Sequence, residues 1–235
     1  MPTETPLDQE LSSLHGLIGE MASLVDEQFA DAMNALLSED AQLADEVVAR
    51  DDVIDQLEMK IDDQCERILA LHAPVATDLR MLIMAVKINT DFERIGDHCR
   101  NLARNTPSLI DGPDLLTETH IPEMADMSRA MLREVEVAFW ERDRLKARKV
   151  IARDLQVNRL HAKNVDRLVH MIGEDDGAHA KAIANLLTAS KALERISDHT
   201  KNIAQSIVFM VEGTDIRHSG LQASNAPKTS SDGTP

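Results

Sequence analysis

Apolar residues recur along this chain in alternating steps of three and four. From Leu7 the series runs through Leu11, Leu14, Ile18, Met21, Val25, Phe29, Ala32 and Leu36, the spacing that lines up side chains on one face of an α-helix. Ser38-Glu39-Asp40 interrupts it. A second series, Val47, Ile54, Ile61, Cys65 and Ile68, predicts another helix that closes near His72-Ala73-Pro74, because proline lacks the N–H needed to continue. Thr77-Asp78 offers capping side chains for a third helix, which carries Leu79, Leu82, Ile83 and Val86 and reaches about Asn105. Pro107, Gly112, Pro113 and Pro122 mark Thr106 to Pro122 as the internal linker.

Past that linker the pattern replays. A helix is expected over about 123–140, a turn at Glu141-Arg142-Asp143 and a helix from Arg144 to Ile172. A break at Gly173 to Gly177 precedes a last helix from His179 to Val211. Beyond it the chain is rich in Ser, Thr, Asn, Gly and Pro, the composition of a disordered tail. The replay reaches individual residues. E-R-I-G-D-H-C-R-N at Glu93 to Asn101 returns as E-R-I-S-D-H-T-K-N at Glu194 to Asn202, and R-D-D-V-I-D-Q-L at Arg50 to Leu57 returns as R-D-L-Q-V-N-R-L at Arg153 to Leu160. The expected fold is therefore all-α: two tandem, sequence-related three-helix bundles. The first repeat covers 7–105, the linker 106–122, the second repeat 123–212 and the tail 213–235.

Composition narrows the reading. Aromatic residues are only 2% and Tyr is absent, while Met numbers 11, a core suited to helix-on-helix packing and not to sheets. The formal charge of −16 disfavours nucleic acid and anionic lipid. Cys65 and Cys99 have no CxxC spacing and read as small core or boundary residues. Met1 to Glu10 lacks the pattern of a signal peptide, and no stretch approaches the ~20 apolar residues of a spanning helix, so a cytoplasmic location is expected.

The candidate chemistry is acidic. At ~100° per residue, Leu79, Ile83, Val86, Thr90, Glu93, Asp97 and Asn101 share one direction, so the acids continue a face that is apolar a turn earlier. Ala184, Leu187, Lys191, Glu194, Asp198 and Asn202 behave alike. On the second helix Asp51, Asp55, Glu58 and Asp62 form a stripe beside Ile54 and Ile61. Carboxylates four residues apart on one face repel, and burial makes that worse unless something cationic compensates. Protonation, pairing with Arg or Lys, and a metal ion are the available remedies. A hard or borderline cation held by oxygens fits the repetition, with a salt-bridged polar layer as the alternative. A merely solvated acidic strip suits the second helix better than Glu93 and Asp97. His98 and His199 point away from the acids and read as boundary residues. His161 falls in line with Asp154 and Asn158, where Asn158 replaces the carboxylate of Asp55.

At these residues the sequence resembles the PhoU family of phosphate-specific transport regulators. P-V-A-T-D-L-R at Pro74 to Arg80, the two E-R-I-(G/S)-D-H segments, and V-E-G-T-D-I-R-H at Val211 to His218 carry the resemblance in order along the chain. It implies paired three-helix bundles, often dimeric, with metal bound at acid-x-x-x-acid motifs. Those map onto Asp51/Asp55, Glu93/Asp97 and Glu194/Asp198, while Asp154/Asn158 departs from the pattern. Asn101 and Asn202 join the candidate ligands because both copies keep them in line with these acids. The implied cofactors are divalent or ferric ions: iron, zinc, manganese or magnesium. The implied role is negative control of phosphate-starvation signalling, coupling the ATPase subunit of a phosphate ABC transporter to a membrane sensor histidine kinase. No P-loop, GxSxG, HExxH or dinucleotide fingerprint argues for an enzyme. No E-x-x-H pair supports a carboxylate di-iron store or enzyme. A metal-free helical scaffold is the remaining alternative.

Overall fold

A computed structural model describes residues 5–106, 115–174 and 179–216. The expected tail from 217 onward, most of the linker and the centre of the Gly173–Gly177 break lie outside the described residues. Within them the chain forms α1 (Pro6–Ser38), α2 (Ala41–His72), α3 (Ala76–Asn105), a 3-10 turn (Leu116–Glu118), α4 (Ile121–Glu141), α5 (Arg144–Glu174) and α6 (Ala180–Glu212). No strand occurs among the described residues, and none of their helices is long and apolar enough to cross a membrane.

Local chemistry sets the helix ends. Thr5 and Asp8 cap α1 reciprocally, each side chain accepting from the other's backbone N–H, with Pro6 in the first turn. Asp40 accepts the Leu43 N–H at the start of α2, and Asp143 accepts from Leu145 and Lys146 at the start of α5. Two expectations shift. Thr77-Asp78 does not cap α3, which begins at Ala76 behind Val75 with no side-chain cap. Pro122 does not end the linker but lies inside the first turn of α4, where its missing N–H is not needed.

Each half packs its three helices around one apolar stripe per helix. Leu14, Ile18, Met21, Val25, Phe29 and Leu36 of α1 meet Val47, Ile54, Ile61 and Ile68 of α2 and Leu82, Ile88, Phe92 and Ile95 of α3. Cys65 and Cys99 are buried among them, and burial pushes the Cys65 thiol up to about 12, so neither behaves as a nucleophile. The α3 face beginning at Leu79 differs from expectation. Leu79, Ile83 and Val86 are 36%, 44% and 37% exposed, so the acids continue a boundary stripe and not a core stripe. The core of α3 lies one residue round, at Leu82, Ile88, Phe92 and Ile95.

The halves join along α3 and α6, and more lightly along α1 and α4. At the lighter contact Asp26 of α1 accepts from Arg129 and Arg133 of α4 at 3.1 and 3.2 Å. Trp140, the sole tryptophan, lies over Gly19 and edge-on to His15, with ring centroids 4.3 Å apart. A methyl group on Gly19 would meet that ring at 1.9 Å. Arg80 lies against Gly213, whose φ of 71° closes α6, so the Pro74–Arg80 and Val211–Gly213 motifs meet in space. Gly19→Ala is expected to displace the half-exposed Trp140, red-shift its fluorescence and destabilise the fold by about 1–3 kcal/mol. Emission spectra and urea melts check this, and an unshifted spectrum would refute the close approach.

Candidate acidic seams

The repeated motifs lie where α2 meets α3 and where α5 meets α6. Asp51, on α2, is 2% exposed. Burial raises its pKa, while a hydrogen bond from Gln28 and the Arg100 guanidinium pull the other way. Arg100 bridges Asp51 to Asp97 of its own helix. The second half repeats the device: Lys201, which matches Arg100, donates to Asp154 and Asp198 at 2.7 Å each. A buried ion pair of this kind stabilises only while both partners stay, because removing one strands a charge.

Each buried aspartate also receives one neutral hydrogen bond from another helix, from different places in the two halves. Gln28 of α1 donates to Asp51 at 2.9 Å and to the Gly96 carbonyl at 3.2 Å. In the second half Met131 stands in the place of Gln28, and Ser197, in the place of Gly96, donates to Asp154 at 3.0 Å. A third position moves with them. A Cβ on Gly96 would come within 3.0 Å of the Ile54 δ-methyl, and the residue matching Ile54 is Val157, which lacks that atom. Gln28/Ile54/Gly96 and Met131/Val157/Ser197 are therefore two solutions to one requirement.

Around these pairs the halves diverge. In the first, Asp55, Glu58 and Asp62 of α2 are half-buried, so they are not the solvated strip that suited the second helix in sequence. Asp62 accepts from buried Asn89 at 2.9 Å. Glu93 and Asp97 are contacted by Arg94 at 3.3 Å. The Glu93 carboxyl is pushed up to about 7, chiefly by burial and then by Asp97, with Glu58 and Asp55 adding to it and Arg94 opposing. Burial, Asp62, Asp55 and Asp97 raise Glu58 as well, against Arg94. Arg100 meets Asp51 and Asp97, and Arg94 meets Glu93 and Asp97, while Asp55 and Asp62 have no ion-pair partner among the described residues.

In the second half the positions matching Asp55, Glu58 and Asp62 hold Asn158, His161 and Val165. Asp154, Glu194 and Asp198 remain, faced by Lys191, Arg195 and Lys201. Asn158 donates to Asp154 at 3.2 Å, and the His161 Nδ1 meets Ser190 Oγ at 2.9 Å in a polar layer with Asn164. Asn101 is exposed, and Asn202 donates to Asp91 at 3.4 Å. His98 and His199 face each other across the α3–α6 contact.

The donor set of the first seam suits a hard cation in atom type and in unbalanced charge. Among the described residues, however, no group of three or more His, Cys, Asp or Glu converges closely enough to hold one. The charge of the second seam is met by its own lysines and arginine. Sequence reasoning overlooked Arg100 and Lys201 as internal cations. The shared D-H-x-(R/K) spacing was the available signal, since it places a cation one turn after each aspartate.

These features define a class: tandem three-helix-bundle proteins whose repeated acidic motif lines the seam between the second and third helix of each half. The particular family is PhoU, and the chain belongs to it. The PhoU domain profile matches twice, over residues 18–106 and 121–207. The phosphate-specific transport system accessory protein PhoU homolog of Pseudomonas aeruginosa is 37% identical over 213 residues, covering 90% of this chain and 88% of that protein. The homolog from Aquifex aeolicus is 33% identical over 216 residues, covering 92% and 97%. The crystal structure of PhoU from Pseudomonas aeruginosa superposes with a TM-score of 0.84 at 35% identity, covering 88% of this chain and 99% of that one. The phosphate transport system regulatory protein PhoU from Streptococcus pneumoniae gives 0.80 at 27%, covering 89% and 99%.

Two outcomes are expected. Ser197→Ala should destabilise the fold by about 1.5–3 kcal/mol through a lost bond to a charged group. Ser197→Gly should be rescued by adding Met131→Gln and Val157→Ile, as read from urea unfolding; no rescue would break the equivalence. For Glu93, a folded pKa above the unfolded value of 4.5 means the folded state binds the proton more tightly. Its unfavourable contribution is absent below about 4.5, grows through the window to about 7 and is complete above it. In chelator-treated protein Glu93→Gln should raise Tm near pH ~8 and leave it almost unchanged near pH ~4.

Proposed function

We propose that this chain is an accessory regulator of phosphate transport that restrains the phosphate-starvation response while phosphate is plentiful. In this reading it is a non-catalytic cytoplasmic homodimer that couples the ATPase subunit of a phosphate ABC transporter to a phosphate-sensing histidine kinase, and touches the membrane only through them. The observation that carries the reading is the doubled PhoU domain, matched over nearly the full length of relatives named phosphate-specific transport system accessory proteins. The test is deletion of the encoding gene in its host. Starvation-response genes are expected to become active in high phosphate and to return to control on complementation. Unchanged repression would sink the assignment.

A cation at the first seam belongs to the same proposal. Asp55, Glu58, Glu93 and Asp97 would hold it, and its charge would relieve the repulsion that burdens Glu93. The second seam would bind less well, since Lys191 and Lys201 already pair with its acids. Elemental analysis of protein purified without chelator should find iron, zinc, manganese or magnesium, lost in the Glu93→Ala, Asp97→Ala double variant. Equal metal content in variant and wild type would leave the acids as salt-bridged layers of a metal-free scaffold.

A further inference from the structure

The contact between the halves places two related grooves side by side. Helices α3 and α6 run in opposite directions, since Asp91 meets His199 and Asn202 while Arg104 shares a groove with Lys191. Repeat-equivalent residues therefore face each other about an approximate two-fold at His98 and His199, whose ring centroids are 5.7 Å apart. One groove opens on each side of that pair.

In the first groove, about 370 Å³ in volume, Asp91 supplies an internal carboxylate that engages His199 at 2.8 Å and Asn202 at 3.4 Å. Thr90 lines it, and Gln205 holds the place that corresponds to Arg104. The second groove, about 710 Å³, has diverged at each of these points. Ala192 replaces Asp91, Lys191 replaces Thr90 and Arg104 replaces Gln205, with Arg195 completing the wall. Glu194 meets Lys191 at 2.7 Å and Arg195 at 3.9 Å, so one carboxylate is set against two cations there. Arg104 is exposed and has no acidic partner among the described residues. Thr188 stands where the first groove has Lys87, so the loss of an internal anion and a net gain of one cation leave a positive hollow on a chain of net charge −16.

We propose that this second groove binds a phosphorylated organic anion of nucleotide size. The cations meet the phosphoryl oxygens, Arg most strongly because its planar fork matches them two at a time. The volume lies in the range of small-molecule sites and exceeds what inorganic phosphate fills. Leu187 and Ala192 give an apolar wall, and the Asn101 carboxamide offers a donor and an acceptor beside it. Guanidinium planes also stack on flat rings. The site shares Lys191 and Arg195 with the second acidic seam, adds Arg104 from outside it, and does not depend on metal.

The test is isothermal titration of the full chain with ADP, and separately with inorganic phosphate, both in excess chelator. ADP is expected to saturate one site per chain, more tightly than phosphate, and to weaken as salt rises. Arg104→Gln with Lys191→Thr, which places the first groove's residues at these two positions, should weaken ADP roughly tenfold or more. Lys87→Gln in the first groove should leave it unchanged, with circular dichroism confirming intact helices in both variants. No saturable ADP binding into the millimolar range would overturn the proposal. So would affinity indifferent to the double variant, or phosphate binding as tightly as ADP. None of these outcomes depends on the phosphate-response test or on metal content.

Discussion

A buried carboxylate at the centre of each three-helix bundle constrains everything around it. Asp51 and Asp154 sit where water cannot reach, so each must be met by a cation and by hydrogen-bond donors from neighbouring helices. Arg100 and Lys201 provide the cation one turn beyond the aspartates of the repeated motif. The neutral donor comes from the first helix in one half and from the third in the other. Because partners on separate helices must meet at hydrogen-bond distance, all three helices are held in register in the first half, and α5 against α6 in the second. Apolar stripes alone would permit sliding by a turn.

The two halves then show what duplication allows when that constraint is kept. The donor, the space it needs and the neighbouring aliphatic side chain have changed together, as Gln28/Ile54/Gly96 against Met131/Val157/Ser197. Away from the constraint the halves have drifted apart in charge. The first seam keeps Asp55, Glu58 and Asp62, and burial and then Asp97, with Glu58 and Asp55 adding to them, push Glu93 up to about 7. The second has exchanged them for Asn158, His161 and Val165 and has met its remaining acids with Lys191, Arg195 and Lys201. One half carries a surplus of negative charge and the other has spent its own internally. A cation therefore has more to gain at the first seam than at the second. The same divergence, read across the α3–α6 contact, turns one of a pair of related grooves positive.

Much of this was written in the chain's periodicity. The steps of three and four, the stops at Ser38–Asp40, Pro74 and Glu141–Asp143, and the returning E-R-I-(G/S)-D-H segment determined an all-α, duplicated fold and singled out Glu93, Asp97, Glu194 and Asp198. These are local properties: helix period, capping chemistry and residue identity travel with the sequence. What only the tertiary structure decided was the environment of each acid. Helical angles put Leu79, Ile83 and Val86 in line with Glu93 and Asp97, but only packing against α2 and α6 showed that line to be a boundary and Asp51 to be the buried acid. The partners Gln28, Arg100, Ser197 and Lys201, and the facing of α3 against α6, depend on contacts between residues far apart in the chain. Burial and Coulomb energy are set by distances between helices, and a one-dimensional pattern fixes directions within a helix but not which neighbour stands in front of it.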